Sequence, residues 1–401
     1  MLPERLHEQE NRLMDAMAAV NSGPLRPLRI VLPGGSGQVG QVLARYFQQR
    51  GHQVTVLTRG PYAAPWQTVH WDGEQIGPWT EYLEGADVCI NLAGRSVNCR
   101  YSAANRQAIY DSRIRSTRLL GRVIAGLSEP PRLWMNASAA TIYRRVLDET
   151  GVDLPLDEAA ELDEAAKVEG GDKPAANAPP AATGLAAITG FSASMALLAS
   201  LQPQSKMASV NPSAASKPTK ERWLQRRGFS ARVARDWEAA FFAAQTPLTR
   251  KVALRSAVVL SPTPGSAFAV LSHLVRLSFG GKQGSGRQFV SWIHEADYAR
   301  AVEFLIARED LEGPINLAAP HPLTNREFMA ALREAWDVPN GLPAPWLAIQ
   351  LGAFFLRTEP ELVLQSCRAV PGRLLEAGFE FQFPAWPEAA EDLVRRWKSR
   401  E

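Results

Sequence analysis

Apolar runs alternate with helical periodicities along the first part of the chain. Residues 28–32 form a buried-type run, and apolar side chains then recur from Val39 to Phe47 at the spacing of one helix face. Further apolar runs predict strands at 54–57, 69–71, 87–93 and 133–137, with a helical stretch at 105–127. Strands that alternate with helices predict an α/β fold, a Rossmann-like doubly wound parallel sheet with right-handed crossovers.

The alternation stops between about residues 163 and 222, where Ala, Ser, Pro and Gly dominate. We interpret this segment as a low-complexity, mobile insertion. Its part 184–201 has the length of a membrane span. Few of its side chains are large and apolar, so we expect no membrane association, and a span there is the minor alternative.

Regular patterns return after the insertion. Helices are predicted at 230–244 and 268–277 and a strand at 252–255, and Thr324 to Glu327 has the form of a capping box ahead of a helix. From about residue 343, apolar helices and a last helix ending at Trp397 predict a small C-terminal α-rich module. The predicted organisation is an N-terminal extension at 1–27, a Rossmann-like domain at 28–330 and the C-terminal module at 331–401.

Charge and cysteine content narrow the functional classes. The chain has 401 residues and a formal charge of +3, which is small for a dedicated nucleic-acid binder. Its three cysteines, Cys89, Cys99 and Cys367, are scattered. They fit neither a disulfide framework nor a zinc site, so we expect no metal, and they suit a reducing, cytoplasmic location. Residues 1–20 are charged and lack the apolar core of a signal peptide.

Three glycines stand between the first strand and the first helix as G-x-x-G-x-x-G: Gly34, Gly37 and Gly40. The first permits a tight turn, the second lets backbone approach a pyrophosphate, and the third lets the helix pack close to the strand. The helix then begins at Gln38 and Val39, where its N–H groups favour an anion. A plain βα turn rarely needs three glycines at this spacing, so we predict dinucleotide binding.

The end of the second strand indicates which dinucleotide is bound. An NAD site usually has Asp or Glu there, whereas this chain has Arg59, whose guanidinium can pair with a 2′-phosphate. We therefore predict NADP(H) rather than NAD(H), the alternative being that Arg59 is a solvated surface residue. The fourth strand ends at the same sheet edge with Asn91, Leu92, Ala93 and Gly94, whose small residues would let backbone pass under the cofactor.

These stretches, together with Ala137-Ser138-Ala139 and Tyr143, resemble the extended or atypical short-chain dehydrogenase/reductase superfamily. Within it, the chain is similar to the NAD-dependent epimerase/dehydratase-like group that carries a C-terminal domain of unknown function (DUF1731 type). Other stretches that carry the resemblance are Asp111-Ser112-Arg113-Ile114, Arg235-Asp236-Trp237-Glu238, Gly284-Ser285-Gly286-Arg287-Gln288, Asn316-Leu317-Ala318-Ala319-Pro320 and Val370-Pro371-Gly372-Arg373-Leu374. The resemblance implies an NADP-binding Rossmann-like fold, with substrate held between the sheet edge and the C-terminal half.

The resemblance also implies a Tyr-x-x-x-Lys pair with a Ser or Thr, but no Tyr of this chain has Lys four residues later. Ahead of Trp237, where the pair is expected, the residues at 229–234 contain neither. Tyr143 is the candidate acid/base in its place, with Ser138 as its hydroxyl partner and Arg144 or Arg145 lowering its pKa. The alternative is that Tyr143 forms a wall beside the nicotinamide.

Three further residues are candidates for substrate contact. Arg100 and Arg287 would meet an anionic substrate or form surface salt bridges, and His294 is either a general base or a structural histidine. The glycine-rich residues 280–286 predict a flexible rim of the substrate cleft.

Two functions follow from these residues. The first is an NADP-dependent oxidoreductase or epimerase acting on a small hydroxyl or carbonyl substrate, such as a sugar nucleotide. The alternative is a non-catalytic NADP(H)-binding sensor or regulatory protein that lacks the dyad. A homodimer is the candidate assembly.

Overall fold

The computed structural model describes residues 26–60, 62–143, 154–160, 228–345, 349 and 364–400. The insertion at 163–222 and almost all of the N-terminal extension lie outside the described residues, as do the apolar stretches at 350–363. The predictions made for those segments therefore stand as predictions.

Strands and helices alternate as the hydrophobic pattern predicts. The strands are β1 (Arg29–Pro33), β2 (Gln53–Thr58), β3 (Gln67–His70), β4 (Val88–Asn91), β5 (Leu133–Ala139), β6 (Arg250–Ser256), β7 (Val258–Leu260), β8 (Phe289–Val290), β9 (Trp292–His294), β10 (Gly313–Leu317) and β11 (Leu323–Thr324). The helices are α1 (Gln38–Gln49), α2 (Ala103–Gly126), α3 (Phe229–Phe242), α4 (Ala267–Arg276), α5 (Glu295–Ala307), α6 (Asn325–Ala335), α7 (Gly372–Glu376) and α8 (Trp386–Lys398). Short 3-10 helices lie at Pro78–Tyr82 and Ala140–Ile142.

A seven-stranded parallel sheet organises the chain, in the order β10-β6-β5-β4-β1-β2-β3. The strand order reverses between β1 and β4, which are neighbours through Ile30 and Val88. In open parallel sheets, ligands bind outside the carboxyl ends of the strands at such a reversal. The predicted fold class is confirmed, and the glycine loop lies at the edge where a ligand is expected.

Apolar side chains cover both faces of the sheet. On one face α1 and α5 pack through side chains such as Phe47 and Val302, and on the other α2 and α3 pack through Ile124 and Phe241. All four of these side chains are buried. Each such side chain contributes about 1.5–3 kcal/mol relative to an exposed position. The helix start signals also hold, since Thr324 and Glu327 form the predicted capping box of α6.

Several elements of the sheet domain were missing from the sequence prediction, among them helix α5 and strand β10. Helix α5 buries Tyr298, Ala301, Val302 and Leu305 on one face, so the helical spacing was present in the sequence. Strand β10 is only five residues long and pairs with β6 as the seventh strand of the sheet. A short apolar run of this kind does not by itself indicate a strand.

The C-terminal helix α8 packs on the body of the chain through an aromatic stack. The rings of Trp386 and Phe328 lie 4.2 Å apart and almost parallel, and the Trp386 indole donates to the Phe328 carbonyl at 2.9 Å. Residues of α8 thus share one apolar core with α4 and α6.

A buried carboxylate fixes the segment that leads into α8. Asp297, in the first turn of α5, is fully buried and accepts the backbone N–H groups of Gln382 at 2.8 Å and Phe383 at 2.7 Å. Arg300 donates to the same carboxylate at 2.8 Å. One side chain therefore connects the sheet domain to the C-terminal segment.

We expect Asp297→Ala to lower the free energy of unfolding by about 2–4 kcal/mol, because two backbone N–H groups lose a charged acceptor. Chemical denaturation of the full chain measures this loss. Asp310→Ala is the matched control, since Asp310 forms an exposed ion pair with Arg308 and should cost less than about 1 kcal/mol. Equal losses in the two variants would contradict the connecting role of Asp297.

Candidate functional site

Backbone segments at the carboxyl edge approach so closely that only glycine fits between them. Gly34 has a φ of 75°, and a Cβ there would lie 2.6 Å from the Cα of Ala93. A Cβ on Gly40 would lie 2.4 Å from the Cα of Gly35. Gly34 thus brings the loop after β1 against the end of β4, and Gly40 brings α1 against that loop. The positive φ of Gly34 fits the tight turn predicted for the first glycine, and the contact at Gly40 fits the close helix packing predicted for the third.

The middle glycine leaves open space. A Cβ on Gly37 would meet only the carbonyl oxygen of Gly34, at an ordinary 3.5 Å. The protein's own packing therefore does not require glycine at this position, whereas a ligand lying against the loop would. The N–H groups of Gln38, Val39 and Gly40 belong to the first turn of α1, where a helix offers no internal acceptor. This arrangement fits a pyrophosphate group.

Hydrogen bonds hold the loop in this shape. The Thr58 hydroxyl, at the end of β2, donates to Ser36 Oγ at 3.0 Å, and the Gln41 side chain donates to the Ser36 carbonyl at 2.9 Å. The loop is thereby preorganised, which reduces the entropy lost when a ligand is bound.

Arg59 follows Thr58 directly and is exposed. Among the described residues no hydrogen bond or ion pair involves its guanidinium. A charged side chain at the end of β2 that has no partner in the described part of the chain is available to a phosphate group at this edge.

The predicted residues at the end of β4 divide into two kinds. Asn91 is fully buried and donates to Asn136 Oδ1 at 2.6 Å, while its own Oδ1 accepts the Ala93 N–H at 3.1 Å. Its side chain shapes the turn from within and does not face the sheet edge. Leu92 and Ala93 are half-buried and Gly94 is exposed, so only their backbone and small side chains border the glycine loop.

Tyr143 and Ser138 belong to one buried network. The Tyr143 hydroxyl donates to Asn316 Oδ1 at 2.7 Å and accepts from Arg255 Nη1 at 3.0 Å. The Ser138 hydroxyl donates to Glu238 Oε1 at 2.5 Å. Arg255 and Glu238 join the two halves through a bidentate pair, in which Nε and Nη2 each donate over 2.9 Å.

Burial has a larger effect on the pKa of Tyr143 than the neighbouring arginine has. Burial raises the pKa of Tyr143 to about 12, although Arg255 and Asn316 oppose that shift. Arg144 and Arg145, which we expected to lower this pKa, lie outside the described residues. The neighbouring cation is Arg255, whose charge is neutralised by Glu238.

The C-terminal half covers this network. Tyr143 packs with Ala140, Ala234 and Ala369 in one apolar cluster, and only 8% of its surface is exposed. Residue Leu156 pairs with Ala369 over the same edge. Ala234 comes from the stretch of α3 where the resemblance places the missing dyad.

Sequence reasoning missed Glu238 and Arg255 as members of this site. A charged residue within the apolar strand β6 is a signal that would have pointed to Arg255, since a buried charge requires a partner. Which carboxylate serves as that partner depends on the packing of α3 against the sheet.

His294 is placed away from the sheet edge that holds Tyr143. Its ring is fully buried, its Nδ1 accepts the Ala296 N–H at 3.0 Å, and its Nε2 lies 3.2 Å from Asp392 Oδ2. Burial lowers its pKa, although Asp392 opposes the shift. The neutral ring therefore caps α5 and contacts α8, and this geometry supports the structural alternative and not substrate contact.

Arg100 and Arg287 are both exposed, and Arg100 lies in the segment between β4 and α2. Arg287 lies in the glycine-rich segment beside α6. There Gln283 and Asn325 exchange hydrogen bonds of 2.8 and 3.0 Å, and Gln288 donates to the Gln283 carbonyl at 2.9 Å. The segment expected to be a flexible rim is thus a hydrogen-bonded loop.

Within the described residues, no helix is both long and apolar enough to cross a membrane. The same residues contain no group of three or more His, Cys, Asp or Glu side chains arranged to hold a metal ion.

Comparison with known proteins gives two family matches. The NAD dependent epimerase/dehydratase family matches residues 30–164, which include β1 to β5 and the glycine loop. The domain of unknown function DUF1731 matches residues 344–393, which include the segment that covers Tyr143.

Proteins that match most of this chain agree with these family matches. An epimerase family protein of Mycobacterium bovis is 29% identical over 362 residues, covering 90% of this chain and 95% of that protein. The crystal structure of human epimerase family protein SDR39U1 (isoform 2) with NADPH has a TM-score of 0.66 and 24% identity, covering 91% of this chain and 99% of that one. A nucleoside-diphosphate sugar epimerase from Corynebacterium glutamicum has a TM-score of 0.60 and 24% identity, covering 92% of this chain and 59% of that one.

We predict that Tyr143 keeps its proton to about pH 12. An unfolded tyrosine ionises near pH 10, so the stabilisation from the neutral hydroxyl is complete below about pH 10 and is lost as the pH rises from about 10 to 12. Ultraviolet difference titration of the wild type against Tyr143→Phe isolates this hydroxyl. A difference signal with a midpoint at or below about pH 10 would contradict the buried network.

Proposed function

We propose that this chain, which the models of the NAD dependent epimerase/dehydratase family and of DUF1731 match and to which epimerase family proteins are similar, is an NADP(H)-dependent oxidoreductase or epimerase. Its substrate would be a hydroxyl or carbonyl compound held at the carboxyl edge of the sheet. The observation that carries the proposal is the open space over Gly37 between two glycines that the fold itself requires.

Arg59 supports NADP(H) over NAD(H). Its free guanidinium would pair with the 2′-phosphate, while the first turn of α1 would hold the pyrophosphate. The human relative of similar fold was crystallised with NADPH, which agrees with this choice. When bound, the cofactor supplies hydride transfer at the nicotinamide ring.

The chain's own residues have separate roles in this proposal. The glycine loop and the end of β4 would bind and orient the cofactor, and Tyr143 would hold or move a proton beside it. Arg255 orients the Tyr143 hydroxyl directly, and Ser138 is joined to Arg255 through the carboxylate of Glu238. The substrate class of sugar nucleotides is supported by the relative from Corynebacterium, described as a nucleoside-diphosphate sugar epimerase.

A second candidate function is a non-catalytic NADP(H)-binding sensor. The observation that favours it is the enclosure of Tyr143 and Ser138, whose hydroxyls are both engaged in the buried network and are 8% and 5% exposed. In that case the cofactor would bind without turnover. The proposed cytoplasmic location and the homodimer apply equally to both candidates.

We expect Arg59→Ala to weaken NADPH binding roughly 10- to 100-fold and to leave NADH binding unchanged, because only NADPH loses a charged hydrogen-bond partner. Direct titration of the full chain with both cofactors measures this. Arg45→Ala is the matched control, since Arg45 is an exposed arginine of α1.

A second variant tests the loop independently of Arg59. Gly37→Ala should leave the free energy of unfolding unchanged, because its methyl group points into open space. It should weaken the binding of both cofactors, because that space is where the pyrophosphate is proposed to lie. Equal affinity of the wild type for NADPH and NADH, or full binding by Gly37→Ala, would contradict the assignment.

Turnover separates the enzyme from the sensor. If the chain is an enzyme, NADPH consumption with a panel of carbonyl compounds should be abolished in Tyr143→Phe. It should persist in Tyr46→Phe, whose hydroxyl contacts Glu303 on the opposite side of α1 from the glycine loop. Tight NADPH binding with no turnover across the panel would favour the sensor.

A further inference from the structure

Arg113 is a partly enclosed guanidinium whose hydrogen-bonding capacity is mostly unused. Its Nη1 donates to the carbonyl groups of Arg95 at 3.1 Å and Ile109 at 3.0 Å. Its Nε and Nη2 have no acceptor among the described residues, and the residue as a whole is half-buried. The guanidinium lies 5.1 Å from the ring of Trp237.

The surroundings of Arg113 contain no neutralising charge. Burial lowers its pKa to about 10, and the groups that oppose this shift, Tyr101 and Cys99, are not carboxylates. No carboxylate of the described residues pairs with it. Arg255, by contrast, has the bidentate partner Glu238. A desolvated cation is costly unless it is paired, so the Arg113 site favours an anion supplied from outside the chain.

Arg113 borders the candidate active site. A Cβ on Gly94 would lie 3.1 Å from the Arg113 Cζ, which places the guanidinium directly against the end of β4. Trp237, on which it lies, is followed in α3 by Glu238, the acceptor of the Ser138 hydroxyl. The unused donors are therefore at the sheet edge, next to the residues proposed to hold the cofactor.

The chain around Arg113 is basic. Arg95 and Arg100 are exposed, and Arg106 is half-buried. The one carboxylate of the 94–113 segment belongs to Asp111. It accepts hydrogen bonds from the Gln107 amide at 2.9 Å and from Arg115 at 3.2 Å. The N-terminal end of the 24-residue helix α2 adds partial positive charge beside these arginines.

We propose that Arg113, with Arg95 at its rim, binds an anionic group of the substrate, a phosphate or a carboxylate. The free Nε and Nη2 groups form two parallel donors, which match the paired oxygens of either anion. This inference rests on the proposed function, since it identifies the substrate of that same site as an anion.

The test is calorimetric titration of the full chain with inorganic phosphate, pyrophosphate and malonate. The titrations are performed with NADPH saturating the glycine loop, so that the added anion reports on the substrate side. We expect the wild type to bind at least one of these anions, and Arg113→Met to bind it at least tenfold more weakly. Arg113→Lys should retain part of the affinity, because it keeps the charge and loses the planar pair of donors.

Matched variants separate a local effect from misfolding. Arg115→Met, on the same helix and paired with Asp111, should bind as the wild type does. Gly94→Ala keeps Arg113 but places a methyl group against the guanidinium, so this variant should also bind the anion more weakly. Thermal unfolding of each variant shows whether it is folded.

The outcomes assign the anion and separate this inference from the cofactor proposal. If Arg113 is needed for binding of the phosphates alone, the substrate is phosphorylated. If Arg113 is needed for binding of malonate alone, the substrate is a carboxylate. Three outcomes would overturn the inference about Arg113. They are equal anion binding by the wild type and a folded Arg113→Met, no anion binding by the wild type, and an Arg113→Met variant that loses NADPH binding but keeps anion binding. Failure of NADPH to bind would overturn the proposed function, while the same titrations without NADPH would still test Arg113.

Discussion

The pair formed by Glu238 and Arg255 is the constraint on which the arrangement of the candidate site depends. Both side chains are less than one tenth exposed and meet over two hydrogen bonds of 2.9 Å. Through them α3 is joined to β6, and through Ser138 and Tyr143 also to β5 and the chain that follows it. Removing one member of such a pair leaves a buried charge without compensation, so these elements keep one relative position.

The same pair determines the chemistry available to Tyr143. The cation beside the hydroxyl is a guanidinium that is neutralised by Glu238, and burial therefore dominates the pKa. The hydroxyl is held as a donor to Asn316, which in turn donates to the carbonyl of Val370 in the covering segment. The proton on Tyr143 thus depends on how the C-terminal half packs over the sheet edge.

The two sides of the candidate site offer different groups to a ligand. On the cofactor side, close backbone contacts between Gly34 and Ala93 shape a surface that accepts a phosphate through N–H groups. On the side of α2, Arg113 supplies a charge that has no carboxylate partner among the described residues. The Tyr143 and Ser138 hydroxyls belong to the neighbouring strand β5 and the residues that follow it.

The sequence by itself determined the parallel sheet, the glycine loop and the position of Arg59, because strand and helix periodicity and a βα turn are local properties of the chain. It could not supply the role of His294, the partner of Arg255 or the raised pKa of Tyr143. Those depend on burial and on residues far apart in the sequence, such as Ser138 and Glu238, which are 100 positions apart. Only the tertiary structure decided them, because desolvation and ion pairing arise when distant segments exclude water together.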